Sequence, residues 1–447
     1  MSRTVRALIF YTFFVVFLIT APILLLSTTG YRYNWKRGRF EGQGALLVKS
    51  TPRNARITLN GRLRDELTPA LLQLSPNEYQ IEIFKTRYHP WRKNLSVTSR
   101  QTSFAEDIVL WKEAGPIPLF RHDFQSAAIS PDQRLAVFIV PQVTEDAVWI
   151  WDARDGTAEE IGTAPAQAQL HFSPASSALL IQESAAPIRQ FSVIDLQTKK
   201  QFNTAVIKKQ PLETVAWGET DGTLHGSYQG TIFALNLFNQ RLDPFGRGGN
   251  EFFIRGTEIW SIISGSNGKT FLAKSRAGDL QSPPNFQSEL VAGDYEFLSV
   301  EPPFLLLHDK SRDLILLFDA REPQEIMMEI PGAEVRLRKN QAGNLELLAW
   351  NSFELWRAEV RTGNKELLLR RSAPISGAEW YDRGEYFFVA SEGRLEAIEL
   401  DARDNRNVTL LAEFKNHRIS KIANGRDDSL LITVSGGSET GLYRLEL

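Results

Sequence analysis

The residue types that most often carry chemistry are scattered along this sequence. Its six histidines are isolated, and no two of them have the short spacing that a zinc-binding helix or hairpin provides. A metal site would need ligands to converge from distant parts of the chain, and we predict none. The histidines are His89, His122, His171, His225, His308 and His417.

Three aspartate-rich stretches resemble calcium-binding loops only in part. None has the alternating carboxylates and the distal glutamate of an EF-hand. Because Asp and Asn side chains also hydrogen-bond the backbone two residues further on, we interpret these stretches as turns between strands. The stretches are Asp152-x-x-Asp155-Gly156, Asp309-x3-Asp313 and Asp401-x2-Asp404-Asn405.

No motif for nucleophilic catalysis or nucleotide binding is present in the sequence. The chain has no cysteine, which excludes disulfides and thiolate chemistry. It has no Gly-x-Ser-x-Gly elbow and no phosphate loop, and Gly246-x-Gly248-Gly249 is typical of an ordinary loop. Trp149 and Trp151 could hold a sugar or a peptide, although packing is the commoner use of such a pair. We predict no catalytic residue, cofactor or metal ligand, and hence a protein that is not an enzyme.

The charge is distributed unevenly, although the net charge is only −2. Residues 1–112 contain 17 Lys and Arg against 7 Asp and Glu, whereas residues 113–447 contain 34 against 46. A basic first part beside an acidic bulk argues against nucleic-acid binding by the whole protein. It indicates a membrane surface, an anionic polymer, or contact between the two parts of the chain.

The run from Ala7 to Leu26 contains 20 residues without a charge, of which 14 are Leu, Ile, Val or Phe. A helix of this length is about 30 Å long, which matches the hydrocarbon core of a bilayer. We predict that residues 1–30 form an uncleaved transmembrane signal anchor. The alternative is a cleavable signal peptide, although the run is longer than usual and no clear small-residue cleavage site follows it.

Residues 31–43 are predicted to be a basic and aromatic linker beside the membrane. An interfacial aromatic belt would consist of Tyr31, Tyr33 and Trp35. Contact with an anionic surface would come from Arg32, Lys36, Arg37 and Arg39, which by the positive-inside rule favour a cytoplasmic C-terminal side. A large folded region behind a lone N-terminal anchor instead favours export. We therefore expect a single-pass protein of the cell membrane with the bulk of the chain outside the cytoplasm.

Residues 44–112 show the alternation of apolar and polar residues that typifies half-buried strands. Ile57 and Leu59 alternate with polar neighbours, as do Ile81 and Ile83. Asn60-Gly61 directly follows the first of these runs and predicts a hairpin, since both central residues of a type I′ turn need a positive φ.

Five short motifs follow one another in this region. They are Ser50-Thr51-Pro52, Ala55-x-Ile57-x-Leu59-Asn60-Gly61, Thr68-Pro69, Tyr79-x-Ile81-x-Ile83 and Tyr88-x-Pro90. Over about residues 44–110 the chain thus resembles the PEGA domain, a small β-sandwich of bacterial and archaeal surface proteins. It departs from the family at Asn77-Glu78, where Pro-Gly is usual, and at Arg87, where Gly is usual. Because the family's members are mostly non-catalytic extracytoplasmic modules, the resemblance implies the exported orientation.

Seven basic residues of this region could bind an anionic lipid or a cell-wall polymer. The alternative is an ordinary solvated face. The residues are Arg53, Arg56, Arg62, Arg64, Arg87, Arg92 and Lys93.

From Pro118 onward, short predicted strands repeat with a period of about 42 residues, and each unit resembles one blade of a β-propeller. The last unit lacks a fourth strand, which Pro118 to Phe120 could supply so that both ends of the region share one blade. The first strands of the units are predicted to start near Ser126, Ala168, Thr214, Glu251, Tyr295, Ala333, Ser376 and Arg418.

The turns Ser130-Pro131-Asp132 and Ser173-Pro174-Ala175 resemble those of TolB-type and WD-repeat-like β-propellers. We therefore predict an all-β chain in which residues 113–447 form an eight-bladed propeller closed by its N-terminal strand, with seven blades as the alternative. The resemblance implies the fold without a function.

The expected function is that of a membrane-anchored, extracytoplasmic, non-catalytic binding or scaffold protein whose propeller contacts a protein or a cell-wall glycan. Two alternatives stay open. One is a propeller enzyme, a lyase or a glycosidase, whose acid and base converge on the central channel. The other is an assembly platform that faces the cytoplasm.

Overall fold

The computed structural model describes residues 3–28, 31–34, 38–183, 191–203, 212–239, 241–265, 268–298 and 302–447. The chain divides into two compact units. The first contains Met1–Ala114, Arg383–Tyr386 and Ala397–Thr409, and the second contains Gly115–Asp382, Phe387–Glu396 and Leu410–Leu447.

The N-terminal helix α1 (Arg3–Thr28) exposes large apolar side chains. Leu8 and Phe13, for example, are 70% and 71% exposed. The side chains of Ala7 and Leu26, which limit the predicted anchor, lie outside the described residues. Within those residues, no helix combines the length and the hydropathy that crossing a membrane requires. The predicted transmembrane segment therefore stays a prediction.

The predicted linker contains a two-stranded antiparallel hairpin of β1 (Tyr31–Asn34) and β2 (Arg39–Gly42). Trp35, Lys36 and Arg37 lie outside the described residues. The side chains of Tyr31, Arg32, Tyr33 and Arg39 do so as well. The aromatic belt and the anionic-surface contact predicted for these seven residues therefore stay predictions.

Seven further strands form two sheets in the first unit, with orders β6-β3-β9 and β5-β4-β7-β8. Burial alternates along β3, β4 and β8, as the sequence pattern predicts. Val48, Ile57 and Ile81 are fully buried in an apolar core that the two sheets share. The strands are β3 (Gly44–Thr51), β4 (Arg56–Leu59), β5 (Arg62–Leu67), β6 (Ala70–Leu74), β7 (Asn77–Phe84), β8 (Trp91–Val97) and β9 (Thr102–Val109).

Three motifs of this sandwich have local structural roles. Asn60 and Gly61 have φ of 49° and 75° and connect β4 to β5, which confirms the predicted hairpin. Ser50 Oγ and Thr68 Oγ1 are 2.7 Å apart, and the backbone N–H of Ala55 donates to Thr68 Oγ1 at 3.0 Å. The Ser-Thr-Pro and Thr-Pro motifs thus bond to each other inside the sandwich.

The rest of the described chain contributes eight four-stranded sheets, numbered here in chain order. The first sheet contains β11 (Ser126–Ile129), β12 (Leu135–Val140), β13 (Asp146–Asp152) and β14 (Ala158–Ala164), and the second contains β15 (Ala168–Phe172), β16 (Ala178–Glu183), β17 (Phe191–Asp195) and β18 (Lys200–Asn203). The third contains β19 (Thr214–Trp217), β20 (Thr223–Tyr228), β21 (Thr231–Asn236) and β22 (Arg241–Arg247), and the fourth contains β23 (Glu251–Arg255), β24 (Glu258–Ser264), β25 (Thr270–Arg276) and β26 (Phe286–Leu290).

The fifth sheet contains β27 (Tyr295–Leu298), β28 (Phe304–Asp309), β29 (Leu314–Asp319) and β30 (Met328–Pro331), and the sixth contains β31 (Glu334–Lys339), β32 (Leu345–Trp350), β33 (Glu354–Glu359) and β34 (Lys365–Arg370). The seventh contains β35 (Ile375–Trp380), β36 (Tyr386–Ser391), β37 (Arg394–Glu399) and β38 (Val408–Glu413). The eighth contains β39 (Arg418–Asn424), β40 (Ser429–Ser435), β41 (Gly441–Glu446) and the early strand β10 (Ile117–Phe120).

The predicted repeat agrees with these strands. Six of the eight first strands start at the predicted residue, and the two others start one residue away, at Glu334 and Ile375. β10 pairs antiparallel with β41, with Ile117 opposite Arg444. The predicted closing strand at Pro118 to Phe120 is thus confirmed.

Each sheet of the second unit contacts the next one along the chain. Shared apolar clusters join sheets one to six in succession. Arg336 Nε donates to Glu379 Oε2 between the sixth and seventh sheets, and Asn424 Nδ2 donates to the Trp380 carbonyl between the seventh and eighth. An apolar cluster then joins the eighth sheet to the first, where the rings of Phe120 and Phe138 stack at 4.8 Å.

Candidate functional site

The first strands β11, β31, β35 and β39 line a cavity of about 290 Å³ in the second unit. These strands are close together because first strands of consecutive sheets lie side by side. Charged groups more than 80 residues apart in the sequence therefore face one space. The groups are Glu334 and Arg336 on β31 and Lys421 on β39, with Trp350, Ser376 and Ser420 among the other lining residues.

Lys421 is the least compensated of these charges. Among the described residues, its ammonium has no carboxylate within ion-pair distance and no hydrogen-bond acceptor. Burial and the nearby positive charge of Arg336 lower the pKa of Lys421, and the negative charge of Glu334 opposes them. Lys421 is thus a half-buried cation that an incoming anion would stabilise.

Arg336 is held in place by contacts on three sides. Its Nε donates to Glu379 Oε2 at 3.1 Å, and its Nη1 donates to the carbonyl of Val335 at 3.0 Å. Its guanidinium carbon lies 5.4 Å from the Trp350 ring centre. Burial raises the pKa of Glu379, although the charge of Arg336 opposes this effect. Arg336 is therefore fixed in place and has a carboxyl partner, whereas Lys421 has none among the described residues.

The positive charge of Lys421 also affects the pKa of His171, which lies on another inner strand. Burial lowers the pKa of His171 on β15, and the charge of Lys421 lowers it further, while Glu296 opposes both effects. His171 is therefore neutral near pH 7, because both main causes disfavour the imidazolium.

The cavity lining suits binding of an anion better than acid–base hydrolysis. A glycosidase needs two carboxyl groups on either side of the reacting bond. The lining provides one carboxylate, Glu334, and two cations, Arg336 and Lys421. Within the described residues, no three His, Cys, Asp or Glu side chains are grouped so that they could hold a metal ion.

The aspartate-rich stretches are turns, as the sequence predicts. Asp152 Oδ1 accepts from the backbone N–H of Arg154 at 2.9 Å, and Asp401 Oδ1 accepts from that of Arg403 at the same distance. Asp309 Oδ1 accepts from the N–H of Ser311 at 3.0 Å. These carboxylates are therefore occupied by the backbone of their own loops.

The paired tryptophans on β13 are packing residues. Trp151 is only 5% exposed and belongs to the apolar cluster between the eighth and first sheets. The ring of Trp149 lies 5.9 Å from that of Phe120 and 5.3 Å from that of His122. The packing interpretation is confirmed, and a role in sugar binding is not indicated.

A second charged cluster surrounds Lys93 in the first unit. Its Nζ lies 2.8 Å from Glu399 Oε2 and 3.3 Å from Asp401 Oδ2, and it donates to the carbonyl of Asp401 at 2.8 Å. The Lys93 side chain is completely buried. Trp91 Nε1 and Asn407 Nδ2 also donate to the Glu399 carboxylate, at 3.3 and 2.9 Å. This cluster connects β8 to residues 399–407 within the first unit.

Asp401 is strongly acidic in this cluster. Burial alone would raise its pKa, but hydrogen bonds from the side chain and backbone of Arg403, together with the charge of Lys93, lower the pKa to about 2. Arg403 also donates to the carbonyl of Phe104 at 2.8 Å. Asp401 therefore stays ionised at any ordinary pH.

The basic face predicted on the sandwich is smaller than the sequence indicated. Lys93 is removed from it because it is buried among carboxylates, and this corrects the prediction for that residue. Arg92 pairs with Glu82 and Arg64 pairs with Glu66. The remaining members are exposed, and they are Arg53, Arg56, Arg62 and Arg87.

Sequence reasoning missed both charged clusters, although one signal was available. Asp-Ala-Arg occurs three times at or within two residues of the end of a third strand, beginning at Asp152, Asp319 and Asp401. In each copy the arginine side chain bonds the aspartate. Only the third copy belongs to the first unit. For Arg336 and Lys421 the sequence contains no signal beyond their position on inner strands.

Comparison with known proteins identifies the first unit's sandwich and the fold that follows it. Residues 43–109 match the PEGA domain family. The C-terminal WD40 domain of Sif2 is similar in structure, with a TM-score of 0.51 and 10% sequence identity over 74% of this chain and 99% of that one. The chain thus combines a PEGA domain with a WD-like β-propeller.

Two further solved structures give lower TM-scores. A eukaryotic initiation factor gives a TM-score of 0.46 at 11% identity, over 83% of this chain and 98% of that one. The mitotic checkpoint complex gives 0.42 at 9% identity, over 73% and 93%. No curated protein matches the chain in sequence. At 10% identity, the similarity to the Sif2 domain shows the fold alone.

Proposed function

We propose that this chain is a membrane-anchored, extracytoplasmic, non-catalytic binding protein whose propeller holds a protein partner. The observation that carries the proposal is the exposed apolar surface of α1, in a chain whose PEGA domain and propeller have well-buried cores. A soluble protein rarely exposes so continuous an apolar surface without a use for it.

The membrane anchor is supported by the side chains of α1 together with the sequence. Phe10, Phe17 and Leu25 are each at least 64% exposed. Burial of each such side chain in an apolar phase contributes about 1.5–3 kcal/mol. The uncharged run of 20 residues in the sequence extends beyond the side chains that the structure describes, to Ala7 and Leu26. We infer that α1 inserts into a lipid bilayer.

The binding platform is inferred to be an eight-bladed propeller. Eight four-stranded sheets in the described residues, with the eighth packed on the first, support this count over seven. Pairing of β10 with β41 closes such a ring with strands from both ends of the region.

A protein partner fits the platform better than the other candidates do. The acidic balance of residues 113–447 disfavours nucleic acid. The cavity with one carboxylate and two cations disfavours a glycosidase. A cell-wall glycan is the remaining alternative for an envelope protein.

The anchor is tested by fractionation of cells that make the full chain or a chain lacking residues 1–28. We expect the full chain in the membrane fraction, resistant to extraction with alkaline carbonate, and the shortened chain in the soluble fraction. Equal distribution of the two chains would contradict the anchor.

The orientation is tested separately with a C-terminal tag and an added protease. Loss of the tag in intact cells, after removal of any outer barrier, would support an extracytoplasmic propeller. Protection of the tag until the cells are lysed would favour the alternative, an assembly platform that faces the cytoplasm. A tag fused to a known cytoplasmic protein controls for lysis.

A further inference from the structure

Lys421 lines the cavity between the inner strands, and its ammonium has no counter-ion within ion-pair distance among the described residues. An unpaired cation that is partly removed from water is costly, because it loses hydration without gaining a partner. An anionic ligand in the cavity would supply that partner.

The charges around Lys421 select the charge of that ligand. Arg336 is already compensated by Glu379 at 3.1 Å. Glu334, which also lines the cavity, would repel a second negative charge. Lys421 is therefore the one cation of the lining without a direct ion-pair partner in the described residues, and the charge of Glu334 favours a monoanion over a doubly charged phosphate.

We propose that this cavity binds one carboxylate group, with the Lys421 ammonium as its ion-pair partner in a polar wall that includes Ser376 and Ser420. The inference rests on the proposed function, because the carboxylate would belong to an acidic residue of the protein partner. A free carboxylic acid is the second source of the same chemistry. The volume of about 290 Å³ accommodates a carboxylate with the chain that carries it.

The first experiment measures binding of propionate to the full chain in detergent. Thermal unfolding is followed while sodium propionate replaces sodium chloride at constant ionic strength. We expect saturable stabilisation in the unaltered protein, at least tenfold weaker apparent affinity in Lys421→Met, and retained binding in Lys421→Arg. Lys269→Met, which removes an exposed lysine paired with Glu289, is the matched control and should bind as the unaltered protein does.

A second variant keeps the test valid if Lys421→Met does not fold. Glu334 is exposed and has no ion-pair partner among the described residues, so Glu334→Gln should fold normally. Because it removes a repelling charge, we expect propionate to bind about 2–10-fold more tightly to Glu334→Gln. Equal propionate binding in the unaltered protein, Lys421→Met and Glu334→Gln would overturn the proposal. So would a Lys421-dependent preference for inorganic phosphate over propionate.

The source of the carboxylate is tested with two capped peptides, acetyl-Ser-Gly-Glu-Gly-Ser-amide and its Gln counterpart. Binding of the Glu peptide at least tenfold more tightly than propionate, with no binding of the Gln peptide, would support a polypeptide ligand. Equal or weaker binding of the Glu peptide would overturn the assignment to a protein partner and indicate a free acid. Lys421→Met should still reach the membrane fraction, so failure of the carboxylate site is distinguishable from failure of the anchor.

Discussion

At the scale of single residues, the most consequential side chain of the first unit is Lys93. It is a cation without solvent contact, held by Glu399 and Asp401. A buried ion pair adds little net stability when it forms, but the loss of one partner leaves the other charge buried and unpaired. The cluster therefore makes the fold of this unit depend on one amino group.

We predict that Lys93→Met lowers the free energy of unfolding by about 3–5 kcal/mol. The measurement is urea unfolding of the full chain in detergent. Lys49→Met is the matched control, because the Lys49–Glu106 pair is half-exposed, and its loss should cost about 0–1 kcal/mol. A similar effect of both substitutions would show that the Lys93 cluster is not a buried tie.

The second unit contains a residue that should make stability depend on pH. His225 is only 5% exposed, its ring lies 4.6 Å from that of Phe245, and its Nδ1 has no hydrogen-bond partner in the described residues. Burial lowers the pKa of His225 from 6.5 to about 4. Between these values the unfolded chain binds a proton that the folded chain does not bind, so stability falls as the pH falls.

We predict that the free energy of unfolding decreases by about 3 kcal/mol between pH 6.5 and pH 4 because of His225 alone. His225→Leu should remove this part of the decrease, whereas His89→Leu should leave it unchanged. Urea titrations at several pH values measure it. An identical pH profile in His225→Leu would mean that other groups cause the loss.

At the scale of secondary-structure elements, β10 connects the start of the propeller region to its end. Phe120 on this strand stacks on Phe138 of the first sheet, while the strand itself pairs with β41 of the eighth. Because one short strand joins two sheets, its single large buried side chain carries much of the contact.

We predict that Phe120→Ala destabilises the protein by about 3–5 kcal/mol. Phe238→Ala is the matched control, since Phe238 is 89% exposed, and this substitution should change stability by no more than about 0.5 kcal/mol. Thermal unfolding of both variants measures the difference. Equal stability of the two variants would show that β10 is dispensable.

Much of this element pattern was predictable from the sequence because each strand is specified locally. Period-two alternation located the strands around Ile57 and Ile81, and the positive φ that Asn60-Gly61 tolerates located their hairpin. The cavity was not predictable. Arg336 and Lys421 lie on strands of different sheets, and their meeting depends on the packing of whole sheets, which no local spacing encodes.

At the scale of the whole molecule, the chain does not divide into units at a single sequence boundary. Residues 383–386 and 397–409 come late in the chain but belong to the first unit. Their contacts include Tyr386, whose hydroxyl accepts from the N–H of Val109 at 3.3 Å and whose pKa burial raises strongly. The first unit therefore includes two late segments of the chain as well as its N-terminal part.

We predict that a fragment of residues 115–447 has a locally loosened segment. Without residues 1–114, Glu399 and Asp401 lose Lys93, so amide hydrogens of residues 397–409 should exchange at least tenfold faster than in the full chain. Peptides from β12 and β16 serve as internal controls and should be unchanged. Unchanged exchange throughout the fragment would contradict the assignment of 397–409 to the first unit.

The pairing of β10 with β41 also has a consequence for synthesis. Ile117 and Arg444 are opposite each other in one sheet but more than 300 residues apart in the chain. At about 5–20 residues per second, a ribosome needs roughly 15–65 s to make the intervening chain. During that time β10 is exposed without its pairing strand. Pro118 in β10 has no N–H to donate, which limits the pairing of β10 with a strand of another nascent chain.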